Sequence, residues 1–200
     1  MKLEIKDCCQ VPVEDGEPSD PMEAITALWF QLRGYITATN KWFWIWEKEN
    51  KKQRGHMDID LIALNEKETV IVNVTQNLND KIDRPTKNFD TKKLETHFMK
   101  VKYYLSKVDQ YKWLIENRKV RYLLVYGVGR DPEELRELRE HLLRSLRKEK
   151  IKIELVKFKK VLEETIKIIK ENHTKNRRIT NRMMKLLVEI INKGVKIPTG

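Results

Sequence analysis

Cysteine is nearly missing from this 200-residue chain, which has only the adjacent pair Cys8 and Cys9. Neighbouring cysteines seldom bridge each other, because the geometry is strained. Two thiols do not make a structural zinc site either. A disulfide scaffold and a zinc module are thereby set aside, and the pair reads as two free thiols in an N-terminal segment. Long apolar runs are missing too. Lys, Arg or Glu interrupts every stretch before it reaches membrane-spanning length. Met1 to Asp20 is acidic and has no apolar signal core. A cytoplasmic protein with no membrane partner is the expectation. The chain shows no internal repeat and no low-complexity segment.

What is present is charge and aliphatic bulk. Hydrophobic residues make up 40% and charged residues 36%. The length suits one domain with a real core, and a surface dense in both signs of charge is common among thermophile proteins. The net charge of +11 is unevenly placed. Arg144 to Gly200 holds 17 Lys+Arg against 6 Asp+Glu, whereas residues 1–143 hold 24 of each sign. Such asymmetry points to a polyanionic partner, nucleic acid first. A merely soluble basic tail is the plain alternative.

Periodicity divides the chain. A strand is expected at Leu3–Ile5. Asp20-Pro21-Met22-Glu23 has the pattern of a helix start, with Asp20 as cap, Pro21 in the first position and Glu23 closing a capping box. Ile25, Leu28, Trp29 and Leu32 share one face of that helix, and Gly34 ends it. Strands are predicted at Tyr35–Trp46, His56–Leu64 and Thr69–Thr75. A charged turn at Glu47–Gly55 separates the first two, and Asn77–Asp90 follows as a polar loop. Helix Thr91–Lys107, a short helix near Tyr111–Glu116, strand Val120–Val128, helix Asp131–Arg147, strand Ile151–Val156 and helix Val161–Glu171 come next. A basic connector, His173–Arg178, leads to a last helix at Ile179–Asn192. A strand meander followed by crossovers gives an α/β fold, a mixed β-sheet flanked by helices. The divisions fall at residues 1–19, an N-terminal segment; 20–157, the core; and 158–200, a basic helical C-terminal extension.

The densest chemical signal is Gly55-His56-Met57-Asp58-Ile59-Asp60-Leu61-Ile62-Ala63, followed by Val70-Ile71-Val72-Asn73-Val74-Thr75-Gln76. Strand side chains alternate faces, so Asp58 and Asp60 point one way, as do Asn73 and Thr75. If the two strands pair, four polar groups converge at one edge. Mg²⁺ or Mn²⁺ needs such oxygen ligands. Asp60 lies among apolar residues, where an unpaired carboxylate is costly, so it requires a metal or a structural partner. Glu23 and Asp58 each have a plainer reading, as a cap and as a solvated strand residue.

The run Glu23, Gly34-Tyr35, Asp58-Ile59-Asp60-Leu61-Ile62-Ala63 and a buried strand ending in a polar pair resembles the PD-(D/E)XK nuclease superfamily. That superfamily includes archaeal Holliday-junction resolvases and Mrr-like restriction enzymes. The resemblance covers about residues 20–76, and the helix, strand and helix that follow also fit the family order. It implies a restriction-endonuclease-like fold and metal-dependent hydrolysis of DNA phosphodiesters. It places the family's first metal-binding Asp on Asp60 and its helix-one Glu on Glu23. The family's third strand ends Glu-x-Lys, whereas here it ends Asn73-Val74-Thr75, so two charged groups are lost. The expected site is therefore altered. Asp60, Asp58 and Asn73 would hold the metal, and Glu23, Thr75 and Gln76 would stand beside them. Lys92, Lys93 or Lys100 would restore the cation, with Glu95 a further carboxylate. His56 and His97 are candidate general bases, though lone histidines are more often structural.

Trp42, Trp44 and Trp46 share one strand face. That face admits core packing under the first helix, stacking on unpaired bases, or a homodimer contact. Lys175, Arg177, Arg178 and Arg182 would neutralise phosphates. Three functions stay open at this level: a nuclease with a migrated site, a nuclease fold that binds nucleic acid without cutting it, and an interaction protein that dimerises through its aromatic strand.

Overall fold

Asp20 starts the first helix as a cap, its carboxylate accepting the N–H of Met22 at 2.6 Å. Pro21 follows in the first turn, where its missing N–H costs nothing. In the computed structural model, residues 3–7, 20–47, 52–82, 90–107, 109–129, 132–146, 151–172 and 185–189 are described, with backbone alone at 3–7, 42–47, 52–57, 109–110, 132, 145 and 172. The strands are β1 (Leu3–Asp7), β2 (Ile36–Glu47), β3 (Lys52–Leu64), β4 (Glu68–Asn77), β5 (Lys119–Val128) and β6 (Ile153–Lys157). The helices are α1 (Pro21–Gln31), α2 (Lys92–Lys107), α3 (Asp109–Lys112), α4 (Pro132–Ser145) and α5 (Phe158–Asn172). The fold is α/β, with one mixed sheet flanked by helices.

The six strands lie side by side in chain order. The first four pair antiparallel, and β4, β5 and β6 run parallel. Parallel neighbours need a crossover, and the α2–α3 and α4 segments supply the two. Alternation along β5 sorts the faces. Tyr122, Leu124 and Tyr126 meet α2 and α4 through Phe98, Tyr104, Leu138 and Leu142. Leu123 and Val125 meet α1 and α5 through Ile25, Phe30 and Val161. Both faces are covered, which is why β4 and β5 read as near-continuous apolar runs.

Two outer contacts extend this packing. Trp29 donates its indole N–H to Glu164 on α5 at 3.0 Å, and Arg33 stacks over the Trp29 ring at 3.9 Å while pairing with Glu164. Leu187, in the helical stretch 185–189, packs with Leu28 and Ile169. The N-terminal segment thus contributes a strand to the sheet, and the C-terminal stretch contributes α5 to its cover.

The starting ends of β4, β5 and β6 are tied by one ionic network. Arg121 clasps Glu154 with two hydrogen bonds, of 2.9 and 2.7 Å, and donates to Glu68 at 3.0 Å. Tyr35 donates its hydroxyl to the same Glu68 oxygen at 2.6 Å. Burial alone would push the Glu68 carboxyl up, but the Tyr35 and Arg121 hydrogen bonds hold it below the usual carboxylate range. The Arg121 hydrogen bonds likewise lower Glu154.

Two expectations about connections change. Lys52 to Gly55 is not turn but strand, with Glu47↔Lys52, Trp46↔Gln53 and Ile45↔Gly55 in register. Composition alone does not reveal this, because Lys52, Gln53, Arg54 and Gly55 are all common in turns. The polar loop after β4 contains a 3-10 turn, Leu78–Asp80, and Leu78 and Ile82 are fully buried in the α2-side core.

Candidate functional site

The β3–β4 ladder runs from Leu64↔Thr69 to Leu61↔Val72 and ends there. Beyond it β3 stays paired with β2 as far as Lys52, and β4 stays paired with β5 as far as Asn77. The sheet therefore forks, and Asp60 is the first β3 residue past the last shared pair. Its β2 neighbour is irregular as well. Register passes from Thr39↔Leu61 to Lys41↔Ile59, and Asn40 between them has a φ of 53°, a left-handed conformation that asparagine tolerates better than most residues. Face alternation slips at the same point. Ile59 and Ile62 both join the α2-side core, whereas Leu61 and Ala63 lie under α1.

Asp60 is 5% exposed and fills the fork. Its Oδ2 accepts the side-chain N–H of Asn73 and the backbone N–H of Val74, each at 2.6 Å. A carboxylate thus stands in for the strand partner that the parted ladder no longer supplies. The Asn73 amide is oriented by this bond, and its Oδ1 is buried with no hydrogen-bond partner. Asn73 is 2% exposed. A buried acceptor left unmade costs about 1–3 kcal/mol and marks a place where a further partner belongs.

Other carboxylates surround it. Burial, reinforced by the like charges of Asp20 and Asp58, pushes Glu23 up to about 7. Burial also dominates at Asp60. The Val74 N–H and the Lys81 charge favour its ionised form, yet desolvation and the charges of Asp58 and Glu23 push it up to about 7. The helix start, the end of β3 and the fork therefore bring Glu23, Asp58 and Asp60 within electrostatic reach of one another. Gln76, at the carboxyl end of β4, donates to Asp20 at 3.4 Å and so sits beside the start of α1. Gly127 keeps this region tight. A Cβ at that position would lie 2.7 Å from the carbonyl oxygen of Gln76.

Thr75 is oriented differently. Its hydroxyl donates to the carbonyl of Asn77 at 3.0 Å, and the residue is 8% exposed. Lys92 and Lys93 are exposed at the start of α2, and Lys100 is half-buried. Among the described residues, the cation whose charge reaches Asp60 is Lys81, just after the 3-10 turn. In the sequence it is hidden, because the polar composition of residues 77–90 is that of a free loop. The signal was the pair Leu78 and Ile82, four residues apart, which pins Lys81 against the core.

His97, on α2, lies near the same charges. Burial first, then Lys81 and Lys100, push its imidazole down to about 4 against the opposing pull of Asp58, so it is neutral near pH 7. Glu95 is engaged by the Thr91 hydroxyl, which also meets His141 at 3.0 Å, tying α2 to α4. The side chains of His56, Trp42, Trp44 and Trp46 lie outside the described set, as do Lys175, Arg177, Arg178 and Arg182.

Among the described residues, no group of three or more His, Cys, Asp or Glu side chains is arranged to hold a metal ion. A hard divalent cation such as Mg²⁺ is commonly held by one or two carboxylates and keeps several waters. Asp60, a neighbouring carboxylate and the orphaned Asn73 oxygen are the groups that would hold such an ion. Among the described residues, no helix is long and apolar enough to cross a membrane. No protein-family model, curated protein or solved structure matches this chain.

Proposed function

We propose that this protein is a metal-dependent DNA endonuclease of restriction-endonuclease-like architecture, working with an altered active site at the sheet fork. The observation that carries the reading is the buried, unpartnered Asn73 Oδ1 beside the Asp60 carboxylate, with Glu23 and Asp58 close enough to repel it. A desolvated cluster of like charges with a spare neutral oxygen suits a hard cation. The position, in the carboxyl-terminal half of β4 and beside the start of α1, lies toward the end of the parallel strands where ligands of α/β sheets usually bind.

Asp60, with Asp58 or Glu23, would hold Mg²⁺ or Mn²⁺, and Asn73 would add its carbonyl oxygen. The bound ion supplies a water of lowered pKa and neutralises phosphoryl charge. Lys81 takes the part that the resemblance assigns to a lysine at position 75, placing a positive charge at the scissile phosphate. The Asp60 bonds to Asn73 and Val74 fix the carboxylate before substrate arrives, so no reorganisation is needed at the reacting centre. The basic C-terminal third adds phosphate contacts.

A second reading, a nuclease fold kept for binding alone, is favoured by one observation. Thr75 turns its hydroxyl into the chain rather than offering a cation. The test is cleavage of labelled duplex, single-stranded and junction DNA with Mg²⁺ or Mn²⁺, beside Asp60→Ala. Metal-dependent cleavage that disappears in the variant supports the first reading. Salt-sensitive binding without cleavage supports the second.

A further inference from the structure

At the opposite end of the β3–β4 hairpin lies an open pocket of about 580 Å³. Its walls include Ile36 and Leu64, the turn Asn65–Glu66–Lys67, and Arg118. The turn is preorganised. Asn65 Oδ1 accepts the N–H of Lys67 at 2.9 Å and of Glu68 at 3.0 Å, and the Asn65 N–H donates to the Glu68 carbonyl at 3.1 Å. Ile36 is 71% exposed, so the pocket presents an apolar surface to solvent at its rim.

Three cations enter β5 close together, and they differ in one respect. Arg121 is clasped by Glu68 and Glu154, and Lys119 stands 3.7 Å from Glu68. Among the described residues, Arg118 has no such partner. Its Nε and Nη2 are buried and make no hydrogen bond, although Glu66 lines the same pocket. Asn117, with a φ of 57°, delivers Arg118 into this position from the preceding turn. A guanidinium carries its N–H donors in a fixed planar fork and has no acceptor of its own, so these orphaned donors call for an oxygen from elsewhere. Their Nε–Nη2 edge is the side of the fork that grips a carboxylate or phosphate with two parallel bonds.

We propose that this pocket binds a small organic oxyanion with an apolar body, the guanidinium of Arg118 turning to take the oxyanion edge and Ile36 and Leu64 covering the apolar part. Carboxylate and phosphate monoester share the recognising chemistry. The pocket volume falls in the range of small-molecule sites, about 300–1,000 Å³. The site is separate from the fork and does not depend on the nuclease reading.

The full-length chain would be titrated by NMR with phenyl phosphate, benzoate, inorganic phosphate and neutral benzyl alcohol. Saturable shifts at the Ile36, Asn65 and Lys67 amides and at the Arg118 Nε–H are expected with phenyl phosphate or benzoate, and not with benzyl alcohol. The tighter of the two names the head group. Arg118→Gln should weaken that binding about tenfold or more, the worth of a charge-assisted pair. Should that variant fail to fold, Ile36→Ser, at an exposed position, should weaken phenyl phosphate but not inorganic phosphate. Asp60→Ala should leave binding unchanged. The proposal is overturned if neither anion gives a saturable shift at millimolar concentration, if Arg118→Gln binds as well as the parent, if Ile36→Ser leaves phenyl phosphate affinity intact, or if Asp60→Ala removes binding.

Discussion

Asn73 gives its amide hydrogen to Asp60 at 2.6 Å and keeps its own carbonyl oxygen buried and unbonded. The pair defines what a cation would find there: one charged oxygen donor and one neutral one. Asn73→Asp adds a fourth carboxylate to Glu23, Asp58 and Asp60. In EDTA the variant should melt at a lower temperature than the parent, and Mn²⁺ should raise its Tm by more than it raises the parent's. Equal Mn²⁺ shifts in the two proteins would remove Asn73 from the metal's surroundings.

Proton linkage gives a second expectation, with the sign set by two groups of carboxyls. Asp60 and Glu23 hold their protons up to about 7 when folded, whereas their ordinary values are 3.8 and 4.5. Between those limits the folded chain binds more protons, so stability falls as pH rises from about 4 to about 7. Glu68 and Glu154 are shifted the other way, so their contribution is present above about 4.5 and is lost as pH falls below it. Metal-free protein should therefore be most stable in mildly acid solution, and Asp60→Asn with Glu23→Gln should flatten the alkaline limb. Urea unfolding at about pH 5 and about pH 8 in EDTA measures it. A parent protein more stable at the higher pH would contradict the raised pair.

Lys81 is the next test. Lys81→Met should lower metal-dependent cleavage by about a hundredfold, the scale of one lost electrostatic stabiliser, while DNA affinity changes little. Lys81→Arg should retain part of the rate. Unaltered cleavage in the methionine variant would send the search to another cation.

Arg121 is a stability residue. Arg121→Met leaves Glu68 and Glu154 facing each other without their shared partner. The loss should be about 2 kcal/mol, toward the lower side for a broken pair because solvent reaches the network. Adding Glu154→Gln should recover part of it. Chemical denaturation checks both, and no recovery in the double variant would mean that repulsion is not the cause.

The C-terminal charge has a measurable signature. Changing Lys175, Arg177, Arg178 and Arg182 together to Gln should reduce the slope of log K against log salt by about 3–4 for duplex DNA, if each meets one phosphate. An unchanged slope would take these residues out of the interface.

The parts legible in the sequence were those with a period. β4 and β5 announced themselves as apolar runs because both faces of the sheet are covered, and α1 announced itself by Asp20 and Pro21. Asp60 stood out because a carboxylate among Ile59, Leu61 and Ile62 needs a partner. The fork itself was not legible. It depends on where the β3–β4 ladder stops and on the positive φ of Asn40, and neither leaves a compositional mark. Lys81 was hidden for a related reason: an electrostatic neighbour 21 residues away in sequence from Asp60 becomes one only after Leu78 and Ile82 have been drawn into the core. Nothing in the sequence sets Arg118 apart from Lys119 and Arg121; only the burial of its unbonded nitrogens does.

Among the described residues, four backbone-paired positions, Leu61 to Leu64 against Val72 to Thr69, join the antiparallel half of the sheet to the parallel half. Past them, each half keeps a complete set of neighbours on its own side. What else holds the halves together is side-chain packing, since Leu61 and Ala63 of β3 share a core with Val70 and Val72 of β4 under α1. Asp60 bridges that seam through Asn73 and Val74, so one carboxylate extends by two hydrogen bonds a join that the backbone pairing leaves short.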